Sequence, residues 1–291
     1  MLRTLRLSLA QTTSAATHGG NVATLDDLAR RAAADGAHML ALPEVAGLCE
    51  RDREKALLQV VRHEADPFVR AARAAARRHG LWIHTGSTPV VGPDGAEDGG
   101  PLFLNRSDLI DAEGRSVTHY DKIHLFDVFL DGRPPTGESR RYAAGDRAVL
   151  ADTPWGPMGL TICYDLRFPG LYRDLAAAGA GLLFVPSAFT VPTGRAHWEV
   201  LLRARAIETG AFVVAPAQVG LHEDGRRTYG HTLAVNPWGE VLADLGGDGP
   251  GLVTVELDLS EVEAARRQIP SLGGGRPYRL ERAGRSRDAG N

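Results

Sequence analysis

Lysine and cysteine are the scarce residues of this chain. Of 33 basic side chains among 291 residues, only Lys55 and Lys122 are lysines, and only Cys49 and Cys163 carry thiols. Two cysteines cannot form a disulfide framework, so a reducing, cytoplasmic setting is expected, and a four-cysteine zinc site is excluded. Cys-x-x-Cys is absent, which weakens a redox-active thiol protein. Long apolar runs are missing as well. Residues 7–10 are too few for a signal-peptide core, and residues 176–185 fall well below the ~20 that cross a bilayer, so no membrane partner is expected. Nor is there surplus charge: the formal net charge is −3, against a nucleic-acid partner that would need a basic surface. No low-complexity linker and no repeat of about 20–50 residues divides the chain.

What is present is ordinary globular material. Hydrophobic residues make up 43% and charged residues 24%, which excludes wholesale disorder. The excess of Arg over Lys reads as compositional bias, under which a surviving Lys marks a place where a compact ammonium matters. Lys55 lies in the charged stretch 50–55 and reads as solvated, which leaves Lys122.

Hydrophobic periodicity alternates between strand and helix. Residues 5–11 read as a strand, 21–34 as a helix with Val22, Leu25, Leu28 and Ala32 on one face, and 38–42 as a second strand stopped by Pro43. Asp66 and Pro67 open a helix that ends at Gly80, and 81–87 is a strand. Hairpins follow at 108–120 and 149–163. Then come helix 171–178, strand 182–187, helix 196–209, strand 212–217, strands 232–235 and 240–243 about an Asn-Pro-Trp-Gly turn, and strand 252–257. This is a mixed-sheet α/β chain. It reads as one domain over 1–272, with an Arg-rich tail, 273–291, that is either solvated or an arm packing on a partner subunit.

Three reactive side chains sit where strands end, the usual place for α/β active sites. Glu44 follows Pro43 after a buried strand, Lys122 follows strand 115–120, and Cys163 ends the apolar strand 159–163. Singly, each has an ordinary explanation: a solvated loop carboxylate, a surface ammonium, a buried small hydrophobe. Together they form a chemical unit. A thiol near its free pKa of ~8.5 is mostly protonated at neutral pH and needs a base or a cation to attack. A carboxylate supplies the base, and an ammonium can hold an oxyanion.

The motifs ALPE, HYDKIHLFD and ICYDLRFP, in that order, resemble those of the carbon–nitrogen hydrolase (nitrilase) superfamily. The likeness continues through VPSAFTVPTGRAHWEVLLRARAIET, PAQVG, TYGHT and NPWGEV, over roughly residues 5–270. The resemblance implies a four-layer αββα sandwich that dimerises through helices and needs no metal or cofactor. It implies Glu44 as general base, Lys122 and the Tyr164 backbone N–H as oxyanion donors, and Cys163 as nucleophile. Glu138 falls on the family's second glutamate, which positions the lysine and the substrate. The segment around residues 193–231 resembles the Nit branch, which hydrolyses amides of dicarboxylic acids, deaminated glutathione and α-ketoglutaramate among them. Such a small-molecule substrate needs a cation away from the scissile bond, and Arg167 and Arg195 are the candidates. His197 and His231 are expected to make structural hydrogen bonds, Trp198 to pack, residues 94–100 to form a solvated loop, and Cys49 to be a spectator. The competing class is a non-catalytic ligand-binding scaffold that has kept the fold.

Overall fold

Leu5, Leu7 and Leu9 alternate in the strand Thr4–Thr12, and all three are fully buried. In the computed structural model, which describes residues 2–96, 100–129 and 136–282, this strand lies inside a nine-stranded sheet. Along one edge it pairs in parallel with Met39–Ala41. Along the other it pairs antiparallel with Gly251–Asp258, with Thr4 opposite Asp258 and Gln11 opposite Gly251. A period of two sends its neighbours to opposite faces. Leu5, Leu7, Leu9, Met39 and Ala41 meet Phe184, Val213 and Leu160 of a second, six-stranded sheet. Leu40, Ile83 and Ile110 instead meet Leu25, Leu28, Phe68, Ala72 and Ala76 on the helices His18–Ala34 and Pro67–His79. Tyr172 and Leu175 of Pro169–Ala177, and Trp198, Leu202 and Ala206 of Val191–Thr209, belong to the core of the six-stranded sheet. The result is a helix–sheet–sheet–helix sandwich, the four-layer arrangement expected.

Local signals explain where elements start and stop. The Asp66 carboxylate accepts the N–H groups of Phe68 and Val69 at 2.9 Å each, which satisfies two otherwise free donors at the start of Pro67–His79. Gly80 ends that helix in the left-handed region, where only a residue without Cβ sits at no cost.

Several elements differ from the sequence expectation. Residues 212–217 are two strands, not one. Phe212–Ala215 stays in the six-stranded sheet, and Ala217–Leu221 crosses to the other and pairs in parallel with Gln11 and Thr12. Pro216 lies between them and has no N–H to continue the first ladder. Helix Val191–Thr209 begins five residues before the expected start at 196, with Pro192 in its first turn, where proline is tolerated. The strand read from residue 108 starts at Pro101. Helix Ser260–Gln268 was not anticipated, although acids open it and arginines close it, as the helix dipole favours. Of the loop 94–100, residues 97–99 lie outside the described residues. So do residues 283–291 of the tail, whose beginning is held by a hydrogen bond from Arg173 to the Leu272 carbonyl. No helix among the described residues is long and apolar enough to cross a membrane.

Candidate active site

Strand ends deliver Glu44 and Lys122 to one end of the sandwich. Glu44 leaves the strand Met39–Ala41 through Leu42 and Pro43. Its backbone is tightly backed: a Cβ on Gly86 would lie 1.9 Å from the Pro43 carbonyl oxygen. Val45 follows with φ at +53°, a costly conformation for a β-branched residue, and donates its N–H to Ser87 Oγ at 2.8 Å. Gln218, on the strand that crosses between the sheets, donates to the Glu44 carbonyl at 2.8 Å. Strain held by so many contacts is typical of a functional position.

Lys122 follows the strand Ser116–Asp121, and its N–H donates to the carbonyl of Asn105 on the neighbouring strand at 3.0 Å. Its ammonium is buried between two carboxylates. Nζ lies 2.9 Å from Glu44 Oε1, and 2.9 and 3.1 Å from the two oxygens of Glu138. Glu138 opens a short 3-10 turn and is itself held by the Phe126 N–H at 2.6 Å. Glu44 accepts two further bonds, from Asn105 Nδ2 to Oε1 at 3.0 Å and from the Ala188 N–H to Oε2 at 2.9 Å.

Cys163 does not end a strand, as expected from the apolar pattern, but opens a 3-10 turn, Cys163–Arg167, beyond Met158–Leu160. The Asp165 carboxylate bends the chain there by accepting the Ile162 N–H at 2.8 Å. Cys163 itself has φ at +50°, another non-glycine residue in the left-handed region. The Glu44 carboxylate lies close enough for its charge to act on the thiol. The structure thus brings together Glu44, Lys122, Cys163 and Glu138, from four separate segments. In the first turn beyond Cys163, the Tyr164 N–H has no acceptor among the described residues.

Electrostatics define the resting state. Burial opposes the Glu44 carboxylate, but the Lys122 ammonium and the bonds from Cys163, Lys122 and Ala188 outweigh it and hold Glu44 below its ordinary pKa. Burial also opposes the Lys122 charge, yet Glu138 and Glu44 push its pKa well above the ordinary value. For Cys163 burial and the Glu44 charge act together and raise the thiol well above its ordinary range. The unit therefore rests as a neutral thiol beside a carboxylate–ammonium–carboxylate cluster, not as a thiolate. Deprotonation of Cys163 has to accompany bond formation, with a carboxylate already in place to take the proton.

The cation candidates separate. Arg167 ends the nucleophile turn. Its guanidinium lies over Tyr164 and Phe189 at 5.7 and 5.6 Å and touches His197 Nδ1 at 3.3 Å, with no carboxylate partner among the described residues. Arg195 is exposed near the start of its helix, and its side chain makes no polar contact with the site among the described residues. His231 pairs with Asp244 and Trp198 is buried, its indole donating to the His231 carbonyl at 2.8 Å. Cys49 is fully buried, 3.5 Å from His222 Nδ1, and burial pushes its thiol up to about 12. No group of three or more His, Cys, Asp or Glu among the described residues is placed to hold a metal ion.

Sequence reasoning missed the supporting residues. Asp165 accepts from Tyr120 Oη at 2.7 Å, from the His124 ring at 2.6 Å and from the His124 and Ile162 N–H groups, and so ties the Lys122 loop to the Cys163 turn. Its signal lay inside ICYDLRFP, two residues from the thiol. Asn105, Ala188 and Gln218 carry no comparable signal, because their contacts to Glu44 span 61, 144 and 174 residues.

Residues 6–267 match the carbon–nitrogen hydrolase family. The chain belongs to that family. Among relatives of this carbon–nitrogen hydrolase, a deaminated glutathione amidase of Yersinia enterocolitica is 43% identical over 72% of each chain. Among solved structures, the Caenorhabditis elegans NitFhit protein superposes with a TM-score of 0.83 at 34% identity, over 94% of this chain and 65% of its own. This hydrolase therefore spans just under two-thirds of NitFhit. A mutant of the amidase from Nesterenkonia sp. AN1, solved with acrylamide added to its active-site cysteine, gives 0.73 at 27% identity over 91% of this chain and 98% of its own.

Proposed function

We propose that this hydrolase is a thiol amidase acting on a small, carboxylate-bearing amide, with deaminated glutathione as its substrate. The observation that carries the reading is the buried Glu44 carboxylate, which holds Lys122 Nζ at 2.9 Å and acts on the buried Cys163 thiol from the same cluster. Glu44 takes the thiol proton as Sγ attacks the amide carbon. The oxyanion forms against Lys122 Nζ and the Tyr164 N–H. Glu44 returns the proton to the leaving nitrogen, the C–N bond breaks and a thioester remains. Glu44 next takes a proton from water, whose oxygen displaces Cys163, and the thiolate recovers that proton. One carboxylate serves as base and acid in both halves. Glu138 keeps Lys122 charged and aimed throughout.

The substrate follows from two supports. The Yersinia enterocolitica relative is named for deaminated glutathione. Arg167, four residues from the thiol and without a carboxylate partner among the described residues, offers a planar cation for a substrate carboxylate. Arg195 is the secondary cation. We also propose a homodimer in a reducing cytoplasm. Val200, Ile207 and Trp238 are exposed on the helix Val191–Thr209 and the nearby turn, and both thiols are free.

The test is release of Cys-Gly and α-ketoglutarate from deaminated glutathione, beside ammonia release from α-ketoglutaramate and a neutral aliphatic amide. Cys163→Ala is expected to abolish turnover while the protein stays folded. Arg167→Met is expected to raise KM for the carboxylate substrate by about tenfold or more with little change for the neutral amide. Full activity in Cys163→Ala overturns the mechanism, and preference for the neutral amide overturns the substrate.

A further inference from the structure

Glu44 has two oxygens, and they are not equivalent. Oε1 is occupied twice, by Lys122 Nζ at 2.9 Å and Asn105 Nδ2 at 3.0 Å. Among the described residues Oε2 accepts one bond, from the Ala188 N–H at 2.9 Å. Oε2 is therefore the oxygen left open to a further partner. Asn105 is fully enclosed, with 2% of its surface exposed, and sits opposite Lys122, whose N–H it receives. Its orientation is not free. Turning the amide over would set its carbonyl against the Glu44 carboxylate. Held as it is, Asn105 Oδ1 is buried with no donor among the described residues. A buried carbonyl without a partner destabilises the fold, and a leucine of similar volume would fill the place without that penalty. A polar residue kept at such a cost points to function.

We infer that Asn105 is a positioning residue that, with Lys122, pins Oε1 of Glu44 and so leaves Oε2 as the oxygen that exchanges the Cys163 proton. The inference rests on Glu44 being the base. Without the amide N–H, the carboxylate rotates about a single anchor and loses a donor that favours its charged form.

The test uses full-length Asn105→Leu and Asn105→Asp, with turnover of deaminated glutathione expressed per thiol titrated by iodoacetamide, alkylation rates and thermal melting. Asn105→Leu is expected to lower kcat about 10- to 100-fold with KM within about threefold, to slow alkylation, and to melt no lower than the parent. Asn105→Asp, which sets a second carboxylate beside Glu44, is expected to move the acid limb of the rate profile up by about one pH unit or more. A kcat per titrated thiol within about threefold of the parent in both variants overturns the inference, as does a rate loss matched by a fall in melting temperature. If the parent does not turn over deaminated glutathione, the proposed substrate fails, while the alkylation rates still decide the role of Asn105.

Discussion

Replacing Lys122 by Met tests the central cluster most directly. The methionine matches the stem of the lysine and removes only the ammonium, so packing changes little. Glu44 and Glu138, each 2.9 Å from that ammonium and both largely buried, are left facing one another without a cation. Removing one partner of a buried ion pair costs about 3–5 kcal/mol, because the remaining charge stays out of water. At roughly 2–4 °C per kcal/mol for a domain of this size class, the melting temperature at neutral pH should fall by roughly 6–20 °C. The pH dependence gives the sharper signature. In the parent, Lys122 holds the folded Glu44 pKa below its unfolded value, so its stabilisation is present above that value and fades as pH falls. In Lys122→Met, burial and the second carboxylate raise the folded pKa above the unfolded one. The sign then inverts: that stabilisation is present below the unfolded pKa and is lost as pH rises. The gap in melting temperature should narrow steadily between about pH 8 and pH 5. Hydrolysis should fall by at least about 100-fold, since an oxyanion donor is gone and a protonated Glu44 is no base. Calorimetry across pH, beside Cys-Gly release, checks both. A melting shift below about 2 °C that does not vary with pH would refute the buried-cluster account.

Three further outcomes follow from the same geometry. Glu44→Gln removes the negative charge that raises the Cys163 thiol, so the thiolate absorbance should titrate at lower pH than in the parent even as hydrolysis falls about 100-fold or more; an unchanged titration contradicts the assigned contact. Asp165→Asn offers a single acceptor oxygen to donors that now share two, and should cost about 2–3 kcal/mol in denaturant melts while slowing turnover; equal stability would show that the link between the Lys122 and Cys163 loops is dispensable. Gly86→Ala forces a methyl group against the Pro43 carbonyl at a backbone angle of +67°, so soluble expression or activity should be lost, and a fully active, equally stable variant would contradict the packing behind Glu44.

The legible part of this protein was local. Strand periodicity in Leu5, Leu7 and Leu9, the Asp66 cap and the Gly80 stop each act within a few residues, and each gave the right element. Glu44, Lys122 and Cys163 were also readable, because each lies in a dense motif beside an apolar, strand-like run, whereas Glu138 was reached only through the family resemblance. What could not be read was set by distance along the chain. Pro216 marks a break in a strand, but its sequence does not say that the next strand joins a different sheet. Nothing near Asn105, Ala188 or Gln218 announces a bond to Glu44, because only the closing of the sandwich creates it. The φ of +50° at Cys163 was likewise hidden: an apolar run reads as strand until Asp165 draws the Ile162 N–H around.

The scarcity of lysine acquires its physical meaning in this geometry. A guanidinium is a rigid plane with its donors in a fixed fork, whereas an ammonium is compact and turns its three donors freely. Nζ at Lys122 already serves Glu44 and both oxygens of Glu138 from one point, in a space closed by Asn105 and Phe126. An arginine here would have to find a plane containing three oxygens that approach from two sides. It would also widen the gap that keeps the two carboxylates in one cluster. Charge alone was replaceable in this chain, and arginine took nearly every such place. The pointlike, buried charge was not, which is why Lys122→Arg should fail to restore the activity that Lys122→Met removes, although it restores the charge.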